Sequence, residues 1–183
     1  MKRIAALFPG QGSQYIGMAA EFLAAGDSAA HVFDRAEAMS GLPLKKLCLE
    51  GPMEELTRTL HLQPAVTAVN IIALEHLKAR GFSFQYTAGH SLGEYSALYA
   101  ADVVGLDDLF RLVTERGLLM EREAERNPGA MAALVGIDLA TVEDLVGKVS
   151  GRVCAANHNN PHQIVISGEG KAVAAVCELA AAA

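Results

Sequence analysis

Apolar and polar positions along the chain alternate between two regimes. Residues 4–8 form a short apolar run that stops at Pro9-Gly10-Gln11-Gly12, a turn sequence, and suit a buried strand. Helical spacing then dominates. Within 63–80, Val66, Val69, Ala73 and Leu77 fall on one helical face, and Gly81 stops the helix. Residues 84–88 read as a second short strand that runs into Gly89-His90-Ser91-Leu92-Gly93 and a helix from about 92 to 101. Another helix spans about 107–126 and is closed by Asn127-Pro128-Gly129. Its apolar stripe is Leu109, Leu112, Val113, Leu119 and Met120, with Arg111, Glu115 and Arg122 on the solvated side. Arg116 falls inside that stripe.

Beyond Pro128-Gly129 the texture changes. Residues 130–137 read as a strand, 139–149 as a helix, 152–157 and 163–167 as strands, and 170–183 as an alanine-rich helix. The order β-α-β-β-α is a ferredoxin-like unit without its closing strand. Two domains are therefore expected, 1–126 and 127–183, in an α/β fold, with the natural protein continuing past Ala183.

Composition narrows the function. The 183 residues are 51% hydrophobic and 20% charged, which excludes a disordered chain. Fifteen basic and 21 acidic residues give a net charge of −6, against a nucleic-acid footprint. Any anion site must then be built locally. Cys48, Cys154 and Cys177 are odd in number and far apart, which predicts a reduced, cytoplasmic protein without disulfides or a zinc site. After Lys2 and Arg3 the first apolar run is too short for a signal-peptide core. No run approaches the ~18 apolar residues of a membrane span, so a soluble protein is expected.

Three elements carry candidate chemistry. Gly89-His90-Ser91-Leu92-Gly93 is a G-x-S-x-G between a strand and a helix, the context in which a serine Oγ is exposed on a sharp turn. At a helix start, free N–H groups and the helix dipole stabilise developing negative charge. The second element is Pro9-Gly10-Gln11-Gly12-Ser13-Gln14. It lacks a P-loop lysine and dinucleotide spacing, and by itself it reads as an ordinary turn. In a hydrolase-type elbow, however, a separate loop supplies the second oxyanion donor, and here the pair would be Leu92 and Gln11. The third element is Arg116. An arginine in an apolar face is costly unless it meets an anion. A structural salt bridge and a bidentate clamp on a substrate carboxylate both satisfy that demand.

The histidines offer less. His90 is expected to pack away from the Ser91 side of the turn, and His158 and His162 to sit on a polar surface loop. His31, His61 and His76 lack partners in sequence, and none has metal-ligand spacing. No general base is legible.

Phe8-Pro9-Gly10-Gln11-Gly12-Ser13-Gln14, Gln63-Pro64-Ala65 and Gly89 through Leu98 together resemble malonyl-CoA:acyl carrier protein transacylases. Arg116-Gly117, Gly129 through Ala133 and Asn157 through Gly168 extend the likeness along the whole chain. The resemblance implies an α/β-hydrolase-like larger domain and a ferredoxin-like smaller one, both incomplete here. It implies Ser91 as nucleophile, an oxyanion hole from the N–H groups of Gln11 and Leu92, Arg116 on the malonyl carboxylate, and Met120 lining the pocket. Malonyl-CoA and acyl carrier protein would be the partners, with no metal and no cofactor beyond the CoA thioester substrate. Glu121 departs from the glutamine often found after that methionine. The serine-activating histidine of such enzymes would lie beyond Ala183. A serine hydrolase or thioesterase using the same elbow, and a binding chain without turnover, are the competing readings.

Overall fold

The computed structural model of the chain describes residues 3–182, so Met1, Lys2 and the expected helix end at Ala183 lie outside it. The fold is α/β, and the chain divides into two compact units with the break between Arg122 and Glu123.

In the first unit, β1 (Ala5–Phe8) pairs in parallel with β2 (Tyr86–Gly89), Phe8 opposite Gly89. The connection between them is wholly helical: α1 (Ala20–Ala24), α2 (Asp27–Ser40), α3 (Leu44–Glu50), α4 (Met53–Thr57) and the long α5 (Thr59–Ala79). After β2 come α6 (Gly93–Ala100) and α7 (Leu106–Arg126). Helix α5 forms the spine of this unit. Leu62, Ala65, Val66, Ala68, Ile71 and Ile72 are buried in one cluster with Phe33, Leu44, Leu56, Leu92 and Phe110. On the strand side, Leu74 of α5 packs with Ala6, Phe8 and Ala97. Helix α5 begins several residues earlier than its spacing suggested, with Pro64 inside it.

The apolar stripe expected on α7 is rotated. Leu109, Phe110, Val113, Thr114 and Gly117 are buried, whereas Leu112, Leu119 and Met120 stand exposed. The reason is Gly117, which a count of apolar side chains passes over. A Cβ there would meet the Thr59 carbonyl oxygen at 3.1 Å and Leu60 Cα at 3.2 Å, so the bare backbone marks where α7 meets the first turn of α5. The Leu109, Val113, Gly117 line, at i, i+4, i+8, is the true contact row.

The second unit is a three-stranded antiparallel sheet in the order β3-β5-β4, from β3 (Ala130–Val135), β4 (Val153–Asn160) and β5 (Gln163–Gly168). Helices α8 (Leu139–Gly147) and α9 (Gly170–Ala181) supply Val142, Leu145, Val173 and Val176 to a core that also holds Leu134, Ile164 and Ile166. Alternation decides the faces: Leu134 is buried while its neighbours Ala133 and Val135 are exposed. Asp138 caps α8, accepting from Thr141 N at 2.8 Å, and this bond holds its carboxyl below the usual range. Strand β4 runs on to Asn160, so the polar Asn157 to Asn160 segment is strand rather than loop. Pairing to β5 carries it there through two register shifts. Only Pro161 and His162 remain between the strands.

Among the described residues no helix is long and apolar enough to cross a membrane.

Candidate active site

The site is built where two backbone turns collide. The first leaves β1 at Phe8 and carries Pro9, Gly10 and Gln11, and the second leaves β2 at Gly89 and carries His90, Ser91 and Leu92. Because β1 and β2 pair in register, both turns emerge at the same sheet edge, at their C-terminal ends. His90 N–H donates to the Phe8 carbonyl at 3.0 Å. A Cβ on Gly10 would lie 2.6 Å from the His90 carbonyl oxygen and 3.5 Å from Leu92 N. One on Gly93 would lie 2.1 Å from the Phe8 carbonyl oxygen, and one on Gly89 would lie 1.9 Å from the Gly93 carbonyl carbon. No side chain fits at these three positions. Glycine is required there by contact, not by conformation.

Ser91 sits at φ 51°, in the left-handed region that non-glycine residues avoid. Strain of this kind costs on the order of 1–3 kcal/mol and collects at functional turns. Its side chain is exposed, and α6 starts two residues later. Turn hydrogen bonds here use the N–H groups of His90, Gly93, Glu94 and Tyr95 on one loop and of Gly12 and Ser13 on the other. Those of Gln11 and Leu92 are not among them. The first loop is pinned from below. Asn70 of α5, itself buried, donates to the Pro9 carbonyl at 3.1 Å and to Ser96 Oγ of α6 at 3.2 Å.

Arg116 reaches this turn from α7. Its Nη2 donates to Ser91 Oγ at 3.1 Å, and its Nη1 donates to Gln63 Oε1 of α5. The guanidinium carbon lies 5.7 Å from the centre of the Tyr95 ring, a cation–π distance. Among the described residues Arg116 has no ion pair, so the structural salt bridge that could have explained it does not occur. Gln63 is fully buried, and its Nε2 is without a hydrogen-bond partner. An orphaned buried donor of this kind costs about 1–3 kcal/mol.

Glu121 ties the arginine's helix to α5. Its carboxylate accepts from Leu60 N at 2.8 Å, in the first turn of α5, and from Arg58 Nε at 3.1 Å. Burial opposes its ionisation, but the Arg58 and Leu60 hydrogen bonds outweigh burial and hold its carboxyl below the usual range. Met120, the neighbouring residue, is exposed at 39%.

The remaining candidates lie elsewhere. His90 is exposed rather than packed inside. His158 and His162 are exposed at the β4–β5 hairpin of the second unit. His61 Nδ1 lies 2.7 Å from the Glu55 carbonyl, and His76 packs edge-on against Phe22. Cys48 is buried and its thiol is pushed up to about 12 by burial and by Glu37, so it is chemically inert. No group of three His, Cys, Asp or Glu among the described residues could hold a metal ion. The second unit has an open cavity of about 720 Å³ beside the exposed Arg152–Glu169 pair, but no buried polar side chain lines it.

The sequence singles out Ser91, Arg116, Gln11, Leu92 and Met120 as candidates. It gave no role to Gln63, Asn70, Ser96 or Tyr95. The available signal was a row of polar residues, Gln63, Thr67 and Asn70 at i, i+4 and i+7, inside a largely apolar helix.

Comparison with known proteins agrees along the whole length. The acyl transferase domain family matches residues 6–183. A malonyl CoA-acyl carrier protein transacylase of Bacillus subtilis (strain 168) is 44% identical over 98% of this chain and 58% of its own. One of Escherichia coli (strain K12) is 38% identical over 100% of this chain and 61% of its own. Among solved structures, the malonyl-CoA:acyl carrier protein transacylase of Xanthomonas oryzae pv. oryzae superposes with a TM-score of 0.92 at 39% identity, covering 100% of this chain and 59% of that one. A malonyl-transacylase in complex with a type II polyketide acyl carrier protein gives 0.91 at 36% identity, covering 99% and 60%. The chain thus spans about three fifths of the length of these relatives. From residue 6 to its last residue, the chain belongs to the acyl transferase domain family.

Proposed function

We propose that this chain carries the nucleophile portion of an [acyl-carrier-protein] S-malonyltransferase. The observation that carries the reading is Arg116 Nη2 at 3.1 Å from Ser91 Oγ, a cation without a carboxylate partner among the described residues, beside an exposed elbow serine. In this reading Ser91 Oγ attacks the thioester carbonyl of malonyl-CoA. The N–H groups of Gln11 and Leu92 receive the oxyanion, and both are unused by the turns that present them. Collapse of the tetrahedral species breaks the C–S bond, releases CoA thiol and leaves malonyl-Ser91. Arg116 pairs with the free malonyl carboxylate, and Met120 lines the acyl pocket. The phosphopantetheine thiol of acyl carrier protein then takes the malonyl group and restores the serine. The hydroxyl proton passes to a general base, a role assigned to the two fifths of the relatives' length that this chain does not span.

The reading also takes the first unit as α/β-hydrolase-like, the second as ferredoxin-like, and the setting as the cytoplasm. It needs no metal or cofactor besides the thioester. A thioesterase would give Arg116 no task, and a binding-only chain would give none to the strained Ser91 turn.

The test uses a catalytically competent form that contains residues 1–183. Incubation with malonyl-CoA should add one malonyl group by intact-mass spectrometry, and Ser91→Ala should add none. Transfer to the carrier protein should exceed release of free malonate. Arg116→Ala should lower malonyl transfer by about ten- to a hundred-fold while sparing acetyl transfer. Adduct on Ser91→Ala, or an equal loss of both acyl groups in Arg116→Ala, would overturn the proposal.

A further inference from the structure

Gln63 is an unexplained expense in an otherwise apolar stretch of α5. Leu62, Pro64, Ala65 and Val66 around it are all buried, and Gln63 itself is 0% exposed. Among the described residues its Nε2 finds no partner, so hydrogen bonding to them does not account for the amide as a whole. Its Oε1 does have one task, accepting from Arg116 Nη1. The same guanidinium points Nη2 at Ser91 Oγ and sits over the Tyr95 ring. All three groups that hold Arg116, an amide, a hydroxyl and an aromatic face, are electrically neutral. Two carboxylates of α7 are committed elsewhere: Glu121 to Arg58 and Leu60 N, and Asp107 to Arg35. A guanidinium fixed in place by neutral acceptors keeps its full charge for whatever arrives at Ser91. A carboxylate in the same position would fix it equally well and cancel it.

We infer that Gln63 is a positioning residue that sets acyl-group specificity, orienting Arg116 toward Ser91 with a neutral acceptor so that the guanidinium remains unpaired for the carboxylate of an acidic acyl group. The inference rests on the reading of Ser91 and Arg116 given under Proposed function. The amide is retained in a buried apolar setting, despite its orphaned N–H, because its shape and acceptor are needed and a negative charge is not. Glutamate has the shape without the neutrality. Methionine has the approximate length without the acceptor. The two substitutions therefore separate charge from orientation.

The experiment measures initial rates of Ser91 acylation by malonyl-CoA and acetyl-CoA, scored by intact mass, in the competent form described above. Gln63→Glu should lower the malonyl-to-acetyl rate ratio by about ten- to a hundred-fold, with the acetyl rate retained, because the new carboxylate occupies Arg116. Gln63→Met should lower the malonyl rate several-fold and leave the acetyl rate unchanged, because Arg116 keeps its charge but loses its bearing. Arg116→Ala is run in parallel. If Arg116→Ala leaves the ratio unchanged, the underlying assignment of the arginine fails, and the inference with it. If Arg116→Ala collapses the ratio while Gln63→Glu preserves it, the assignment stands and the inference about Gln63 is wrong. Equal loss of both acyl groups in Gln63→Glu also overturns it, since that is the mark of a structural amide. Should Gln63→Glu fail to fold, Gln63→Met decides: a malonyl rate at the unsubstituted level, or a matching fall in both rates, refutes the inference.

Discussion

The two units of this chain obey local rules to different degrees. In the second unit the core is Leu134, Val142, Leu145, Ile164, Ile166, Val173 and Val176, without a buried polar side chain among the described residues. Its strands β3 and β5 alternate, its helices are amphipathic, and α8 has a side-chain cap. In the first unit the buried set includes Gln63, Thr67, Asn70, Ser96 and Thr114. Two of those side chains, Gln63 and Thr114, carry a polar atom without a partner, and a serine is held at positive φ. Departures from locally consistent design are expected where a site is being held in shape. Here they converge: Gln63 holds Arg116, Asn70 ties the Pro9 carbonyl to Ser96 of α6, and Ser91 is the strained residue between them. The second unit is organised for packing, and the first gives up some packing to hold a constellation.

The contrast can be broken most forcefully at the colliding turns. Gly93→Ala would drive a methyl group to 2.1 Å from the Phe8 carbonyl oxygen, backbone that cannot yield without moving β1. We expect a loss of about 3 kcal/mol in urea unfolding, at the upper end for overpacking, together with loss of Ser91 acylation. A variant of unchanged stability would mean that the turns are not in rigid contact.

A subtler substitution asks whether the buried polar groups serve the site. Asn70→Ala leaves the Pro9 carbonyl and Ser96 Oγ without their donor, which should cost about 2 kcal/mol in urea unfolding. The first loop would lose its anchor, so acylation by malonyl-CoA and acetyl-CoA should fall by the same factor. An unequal fall would place Asn70 with the arginine rather than with the loop.

The smallest expected effect lies in the second unit and has the opposite sign. Gly147 ends α8 with open space around a would-be Cβ and without a positive φ. Gly147→Ala should stabilise the chain by about 0.5–1 kcal/mol and leave acylation rates untouched. Destabilisation in thermal melts would show that this unit also carries hidden constraints.

What could be read from the residues was mostly local. The run at 4–8, the Gly89 to Gly93 motif and the β-α-β-β-α order all rest on short-range period and turn chemistry, and strands and helices formed near the expected places. Ser91 was legible because a G-x-S-x-G between strand and helix has few other uses. Arg116 stood out as a charge among apolar residues, even though the stripe drawn around it was wrong. That stripe failed because Gly117 buries a helix face without contributing any hydrophobicity. Polarity alone ends β4 at Asn157 and suggests a loop beyond it, whereas pairing to β5 admits polar residues on an exposed strand end.

The sequence by itself determined the element types, the G-x-S-x-G turn and the isolated arginine, since each depends on neighbours within a few positions. Only the tertiary structure decided that β1 and β2 lie in parallel register, which carries two turns 80 residues apart in sequence to one edge. It alone decided that the partner of Arg116 is neutral, because Gln63 lies on another helix, 53 positions away. Contacts of that separation depend on the packing of the whole unit, through Gly117 and Glu121 against the first turn of α5. No local pattern encodes them.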